Sequence, residues 1–251
     1  YGKVTNNFHL SAKASRELAD AINYLDDNAI SKGTEIIGFM NRVSGIAGIA
    51  KISEKNMAAL GSTLQTAGAT EEQSATAINA IFTRLSQASK KKPVKNGLAA
   101  LGLRPSAVEL GMAKDAQGTL EKIVNAINRL PEPKRLGTIA DLVGTEHAKT
   151  LSLLVSKTDD WRRQVKLANS EEAKGSMGRE FETRMKALSA STQIFTNRLF
   201  NLKTAIGGTL APTLHNILDK LGGIVDKFKA WIETNPELAR KILLVASALG
   251  T

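Results

Sequence analysis

Apolar residues recur along this chain at intervals of three and four, the spacing of helices that bury one face. Leu18, Ile22 and Leu25 share one face of "SRELADAINYL", and Ile36, Met40, Val43 and Ala47 share one face of "TEIIGFMNRVSGIAGIAK". Ser53 is a cap for a helix that runs to a glycine stop at Gly68. Thr70 and Gln73 stand in capping-box spacing ahead of Ile78, Ile81, Phe82 and Leu85, and "SAVE", Ser106 to Glu109, has the same spacing. Helices are predicted at about 116–130, ending against Pro131, and at about 134–143, stopping at Gly144. Shorter ones follow near 148–154 and 159–168. Alternating strand patterns are almost absent, so the predicted fold class is all-α.

The texture changes at Phe181. The series Phe181, Met185, Leu188, Thr192, Phe195, Leu199, Leu202, Ile206 alternates steps of four and three, with Thr192 its one polar member. That is a heptad seam. A second seam reads Leu210, Leu214, Ile217, Leu221, Ile224, Phe228, Trp231. Burying a large apolar side chain is worth roughly 1.5–3 kcal/mol, so these faces are expected to pack, preferably on each other within the chain. The pattern therefore predicts a compact multi-helix unit at 1–157. Residues 158–251 form a second region with a Gly/Pro corner at 207–212, and its long paired amphipathic helices lie after about 176.

Gly207, Gly208 and Pro212 mark that corner. Two successive steps of four, Ile206 to Leu210 to Leu214, shift the register there, and Pro212 cannot donate to the carbonyl of Gly208. A handover between rotated seams and a plain turn between antiparallel helices both fit. In either case the break is a hinge. Downstream, Asn235 and Pro236 have the cap and first-turn chemistry of a further helix.

Composition narrows the function. Aromatics make up 4% of the 251 residues, which suits close helix packing. There is no cysteine, so disulfides and thiolate chemistry are excluded. The net charge is +10, with 19 basic against 14 acidic side chains up to residue 156 and 15 against 10 after it. Each part thus carries +5, and the one tight cluster, "KKKPVK" at Lys90–Lys95, reads as a solvated connector. "YGKVTNNFHL" has no signal-peptide core, and the chain stops within an apolar pattern, "KILLVASALGT", so it reads as a fragment of a longer protein. The uncharged run Thr204–Leu218 is too short and too broken to span a bilayer.

Candidate chemistry is thin. His9, His147 and His215 are far apart, without metal spacing. "GTEHAKT", Gly144 to Thr150, lacks the second glycine and the preceding strand of a phosphate loop, and reads as a helix end, a cap and a new helix. Gly45 and Gly48 in "SGIAGIAK" read as a close helix–helix approach. The carboxylate pairs Asp26–Asp27, Glu71–Glu72, Asp159–Asp160 and Glu171–Glu172 fall mostly at helix starts or loops, where they complement the dipole. No catalytic, cofactor or metal residue is assigned, and the expected function is non-enzymatic.

Several phrases, taken in order, resemble the core domain of bacteriophage tail tape measure proteins. They are "ELADAINYLDDNA", "FMNRVSGIAGIAKISEKNMAALGSTLQTAGATEEQSATAI", "LAALGLRPSAVELGMAKDAQGTLEKIVNAINRLP", "IADLVGTEHAKTLSLLV", "GSMGREFETRM" and "IGGTLAPTL" with "WIETNPELARKILL". The resemblance spans about residues 11–248 and is closest in style to contractile-tailed phages and prophages. It implies a structural protein of the virion tail lumen, present in the host cytoplasm during assembly, that helps to build the tail, sets its length and bears on DNA passage at ejection. The implied partners are the tail tube protein, tail assembly chaperones and baseplate or hub proteins. Self-association and membrane contact through segments beyond residue 251 are further expectations, and no specific nucleic acid is expected. Two rival classes remain: a membrane-active or pore-forming helical protein, suggested by the apolar end at Leu243–Leu249, and a nucleic-acid-binding helical protein, suggested by the charge.

Overall fold

The computed structural model describes residues 1–47, 50–206 and 211–236. Among these residues the secondary structure is α-helical, with one 3-10 turn and no strand. The chain divides into two units, Tyr1–Glu182 and Thr183–Thr251.

The first unit begins with α1 (Gly2–Asn7), α2 (Ala12–Asn28), α3 (Gly33–Ala47), α4 (Glu54–Thr66) and α5 (Glu71–Leu85). It continues with α6 (Lys92–Ala100), α7 (Pro105–Lys114), α8 (Ala116–Arg129), α9 (Glu132–Val143), α10 (Thr145–Ser156) and α11 (Thr158–Ala168). The helix α12 (Ser176–Ile206) starts in this unit, and α13 (Ala211–Thr234) lies in the second. The periodicity predicts a compact unit that ends at 157. In the structure α11 packs against α2 and α4, so the unit continues past that point.

The helix starts follow from side-chain chemistry. Ser53 Oγ accepts from the Asn56 amide at 3.2 Å. Thr70 and Gln73 form the complete reciprocal box, with Gln73 N donating to Thr70 Oγ1 at 3.2 Å and Thr70 N donating to Gln73 Oε1 at 3.4 Å. Asp115 caps α8 by accepting from Gly118 N at 2.9 Å. Gly68 and Gly144 take φ of +90° and +89° just past α4 and α9, a conformation that costs glycine least.

The core is built by α3 on α4 and α5, α4 on α11, and α9 on α6 and α10. Phe39, Met57, Leu60, Leu64, Phe82 and Trp161 are its large members, all at 1% exposure or less. Leu18, Ile22, Leu25, Ile36, Met40 and Val43 are buried too, so the faces read from the periodicity are the buried ones.

Three local readings need correction. "SAVE" is not a capping box. Pro105 occupies the first position of α7 and Arg104 its cap, which places Ser106 inside the helix. Glu109 instead accepts from Ser89 N at 2.8 Å and from Ser89 Oγ at 2.6 Å. Nor is the lysine cluster a plain loop: Ala88–Lys90 is a 3-10 turn, and Lys92 and Lys95 lie on α6 with Pro93 in its first turn. Finally, a Cβ at Gly45 would meet nothing within 4 Å, so no helix approaches Gly45, while Gly48 lies outside the described residues. The close approaches lie elsewhere, at Gly61 under the Phe39 ring and at Gly97 beside Leu142.

Candidate functional site

The described seam residues of α12 and α13 are on the surface. Phe181, Met185, Leu188 and Phe195 are 56%, 47%, 59% and 58% exposed, and every residue from 181 to 198 is exposed. Ile217, Leu221 and Ile224 are exposed on α13, while Leu199 and Trp231 are half-buried. Burial of these faces within the single chain is therefore not found at those exposed positions. The side chains of Leu202, Ile206, Leu210, Leu214 and Phe228 lie outside the described residues, as do Gly207 and Gly208 of the hinge. Pro212 falls at the second position of α13, where a missing amide costs nothing.

Further exposed apolar residues stand beside the seam. Ile194 and Phe200 on α12, and Val225 and Ile232 on α13, add to the surface. Apart from Tyr1, Ile30, Leu110 and Leu136, all the large exposed apolar side chains among the described residues lie on these two helices. Single-chain surfaces seldom gather large apolar side chains on so few elements. Each stands next to a seam residue (Ile194 before Phe195, Phe200 after Leu199, Val225 after Ile224, Ile232 after Trp231), outside the four-three steps that define the seam.

The compact unit holds polar clusters, and its structure occupies them. Arg162 Nε donates to Glu121 at 2.8 Å, Nη1 to Asp159 at 3.0 Å and Nη2 to Asn125 Oδ1 at 2.6 Å. The Glu121 hydrogen bond, ahead of that from Asp159, raises the guanidinium pKa above its usual value. Asn128 Nδ2 donates to the Val155 carbonyl at 3.1 Å and to Thr158 Oγ1 at 3.0 Å, joining α8 to α10 and α11. "GTEHAKT" is a helix end, a glycine at positive φ and a new helix. His147 Nε2 lies 3.9 Å from Glu146, and among the described residues no three His, Asp or Glu side chains gather as metal ligands would. These arrangements brace helices against each other.

Comparison with known proteins gives this architecture a context. A family model described as phage-related minor tail protein matches residues 1–144, more than half of the chain and the stretch from α1 through α9. The chain belongs to that family. Among curated proteins it is 23% identical, over 246 residues, to a probable tape measure protein of Halomonas phage phiHAP-1. That alignment covers 96% of this chain and 28% of the relative, so the chain spans little more than a quarter of that relative's length. No solved structure matches. As a member of this minor tail family the chain is a phage tail component. The match to the relative also carries beyond Gly144 into α10–α13, so the exposed helices are part of the shared segment.

Proposed function

We propose that this chain is the folded, partner-recognised segment of a tape measure protein, acting in tail assembly rather than supplying the length of the ruler. The observation that carries this reading is the alignment of almost the whole chain with about a quarter of a probable tape measure protein. Among the described residues, α12 and α13 are the helices that extend beyond its compact unit, Tyr1–Glu182. At about 1.5 Å per residue, helices of 31 and 24 residues reach roughly 45 and 35 Å. Most of a length-setting rod would then come from the rest of the protein.

In this reading the segment sits in the tail lumen of the virion and, during assembly, in the host cytoplasm. Tail tube, tail assembly chaperone and baseplate or hub proteins are its partners, and the apolar faces of α12 and α13 are where partners or further copies bind. It does no catalysis, and its part in tail length and DNA passage is indirect. The membrane-active alternative is not favoured: among the described residues no helix is long and apolar enough to cross a bilayer, although Leu243–Leu249 lies outside them. The charge, spread evenly along the chain, gives no specific support to nucleic-acid binding.

The test is to disrupt the core of the compact unit in the intact phage. Trp161→Asp places a charge at a fully buried position. The expected outcome is loss of assembled tails with the tape measure protein still synthesised. Normal tails built on a protein whose compact unit is unfolded would overturn the proposal.

A further inference from the structure

The segment from Asn169 to Glu182 leads out of α11 and into α12, and very little apolar contact holds it. Within it only Ala173 and Ser176 are buried. Asn169 Nδ2 donates to Asn56 Oδ1 on α4 at 2.8 Å, and a group of hydrogen bonds ties the rest to α2. The Asp20 carboxylate accepts from Gly175 N at 2.8 Å through Oδ2 and from Met177 N at 3.2 Å through Oδ1. Ser176 Oγ donates to the Asp20 carbonyl at 2.6 Å, and Asn23 Nδ2 donates to Ser176 Oγ at 3.4 Å. Gly175, at φ +72°, turns the backbone so that the two amides converge on one carboxylate.

The arrangement differs from an ordinary N-cap, whose side chain comes from the residue before the helix. Here the cap comes from 155 and more residues away, so the start of α12 depends on α2 being in place. A carboxylate also complements the positive end of the helix dipole, which strengthens the contact without adding apolar surface. Arg179 ties the first turn of α12 back to the preceding loop, donating through Nη1 to the Lys174 carbonyl at 2.6 Å and through Nη2 to the Glu172 carbonyl. The loop and the first turn therefore move as a piece. Opening the contacts to Asp20 and Asn23 uncovers almost no apolar area, so the opening is a local event, separate from unfolding of the core.

We propose that the Asp20 contacts form a releasable latch. When it is closed, α12 starts at Ser176. When it is open, 169–182 detaches from α2 while the packed helices α2–α11 stay folded. The latch stands independently of the tape measure reading, because it can be measured in the 251-residue chain without any tail component.

Hydrogen exchange followed by mass spectrometry tests it, comparing peptides covering 170–182 with peptides from α4 and α8. Asp20→Ala is expected to speed exchange in 170–182 by about tenfold or more, leaving α4 and α8 unchanged. Ser176→Ala removes the hydroxyl contacts but keeps the carboxylate on both amides, and is expected to give a smaller acceleration in the same peptides. Unchanged exchange at 170–182 in Asp20→Ala would overturn the proposal. So would equal acceleration in α4 and α8, or loss of helical circular dichroism in that variant, since either would show that the contacts belong to the global fold.

Discussion

The ring of Phe39 lies directly over Gly61, where α3 crosses α4. A Cβ at 61 would stand 2.8 and 2.9 Å from the ring atoms Cε1 and Cγ, and closer still to Cδ1. Phe39 is fully buried, so the ring has nowhere easy to go. Gly61→Ala gains about 1 kcal/mol of helix propensity, but overpacking costs about 1–3 kcal/mol beyond what it relieves. A net loss of up to about 2 kcal/mol in urea unfolding is expected. Gly137, in α9, has nothing within 4 Å of its Cβ position, and Gly137→Ala is expected to stabilise by about 0.5–1 kcal/mol. Equal stability of the two variants would contradict this packing.

The two capping-box patterns in the sequence should separate cleanly on mutation. Thr70 makes a cap in fact, and Thr70→Ala is expected to cost about 1 kcal/mol. Ser106 lies past the start of α7, and Ser106→Ala is expected to stay within about 0.5 kcal/mol of the parent. Chemical denaturation of both variants checks the contrast.

The contact between Ser89 and Glu109 carries a pH signature. Hydrogen bonds from the Ser89 hydroxyl and amide hold the Glu109 carboxyl below its ordinary range, with Lys90 adding a smaller effect. A folded-state pKa that is depressed stabilises the fold above the unfolded value, and this contribution is lost as pH falls through the folded value. An NMR titration should therefore place the Glu109 midpoint below that of an unperturbed glutamate. Ser89→Ala should move it upward. A midpoint unchanged by that substitution would contradict the assigned hydrogen bond.

Much of the compact unit was legible because its determinants are local. Ser53, Thr70 and the Leu18–Ile22–Leu25 face each state their role within a few residues. "SAVE" misled because Pro105 outranks Ser106 as a helix start, and α6 was overlooked because four lysines hid the one useful signal, Pro93 in its first turn. Gly45 looked like a crossing point, but which glycine another helix meets depends on tertiary packing, and the crossing glycine is Gly61. The Asp20 contacts were out of reach for the same reason: their partners are backbone amides at Gly175 and Met177, which leave no trace in side-chain pattern. The seams of α12 and α13 were readable as apolar faces, whereas the cover over such a face is not written in its spacing.

That exposure makes a sharp expectation for the seam. Phe195 and Leu188 are more than half exposed, so Phe195→Asp or Leu188→Asp should change unfolding free energy by no more than about 0.5 kcal/mol. If partners or other copies cover this face in the tail, the same substitutions in the phage should sharply reduce plaque counts. Destabilisation by several kcal/mol in the isolated chain would instead place the seam in a core.

Tail length in electron micrographs is the most direct measurement of the central claim. In-frame deletions of seven and fourteen residues from the exposed stretch 183–198 preserve the heptad register while shortening a helix by about 10 and 20 Å. If this segment is a folded element that tail partners recognise, the deletions abolish tail assembly and yield no graded lengths. Viable tails whose lengths fall in step with the residues removed would show that α12 is part of the ruler and would contradict the account, and viable tails of full length would contradict it equally.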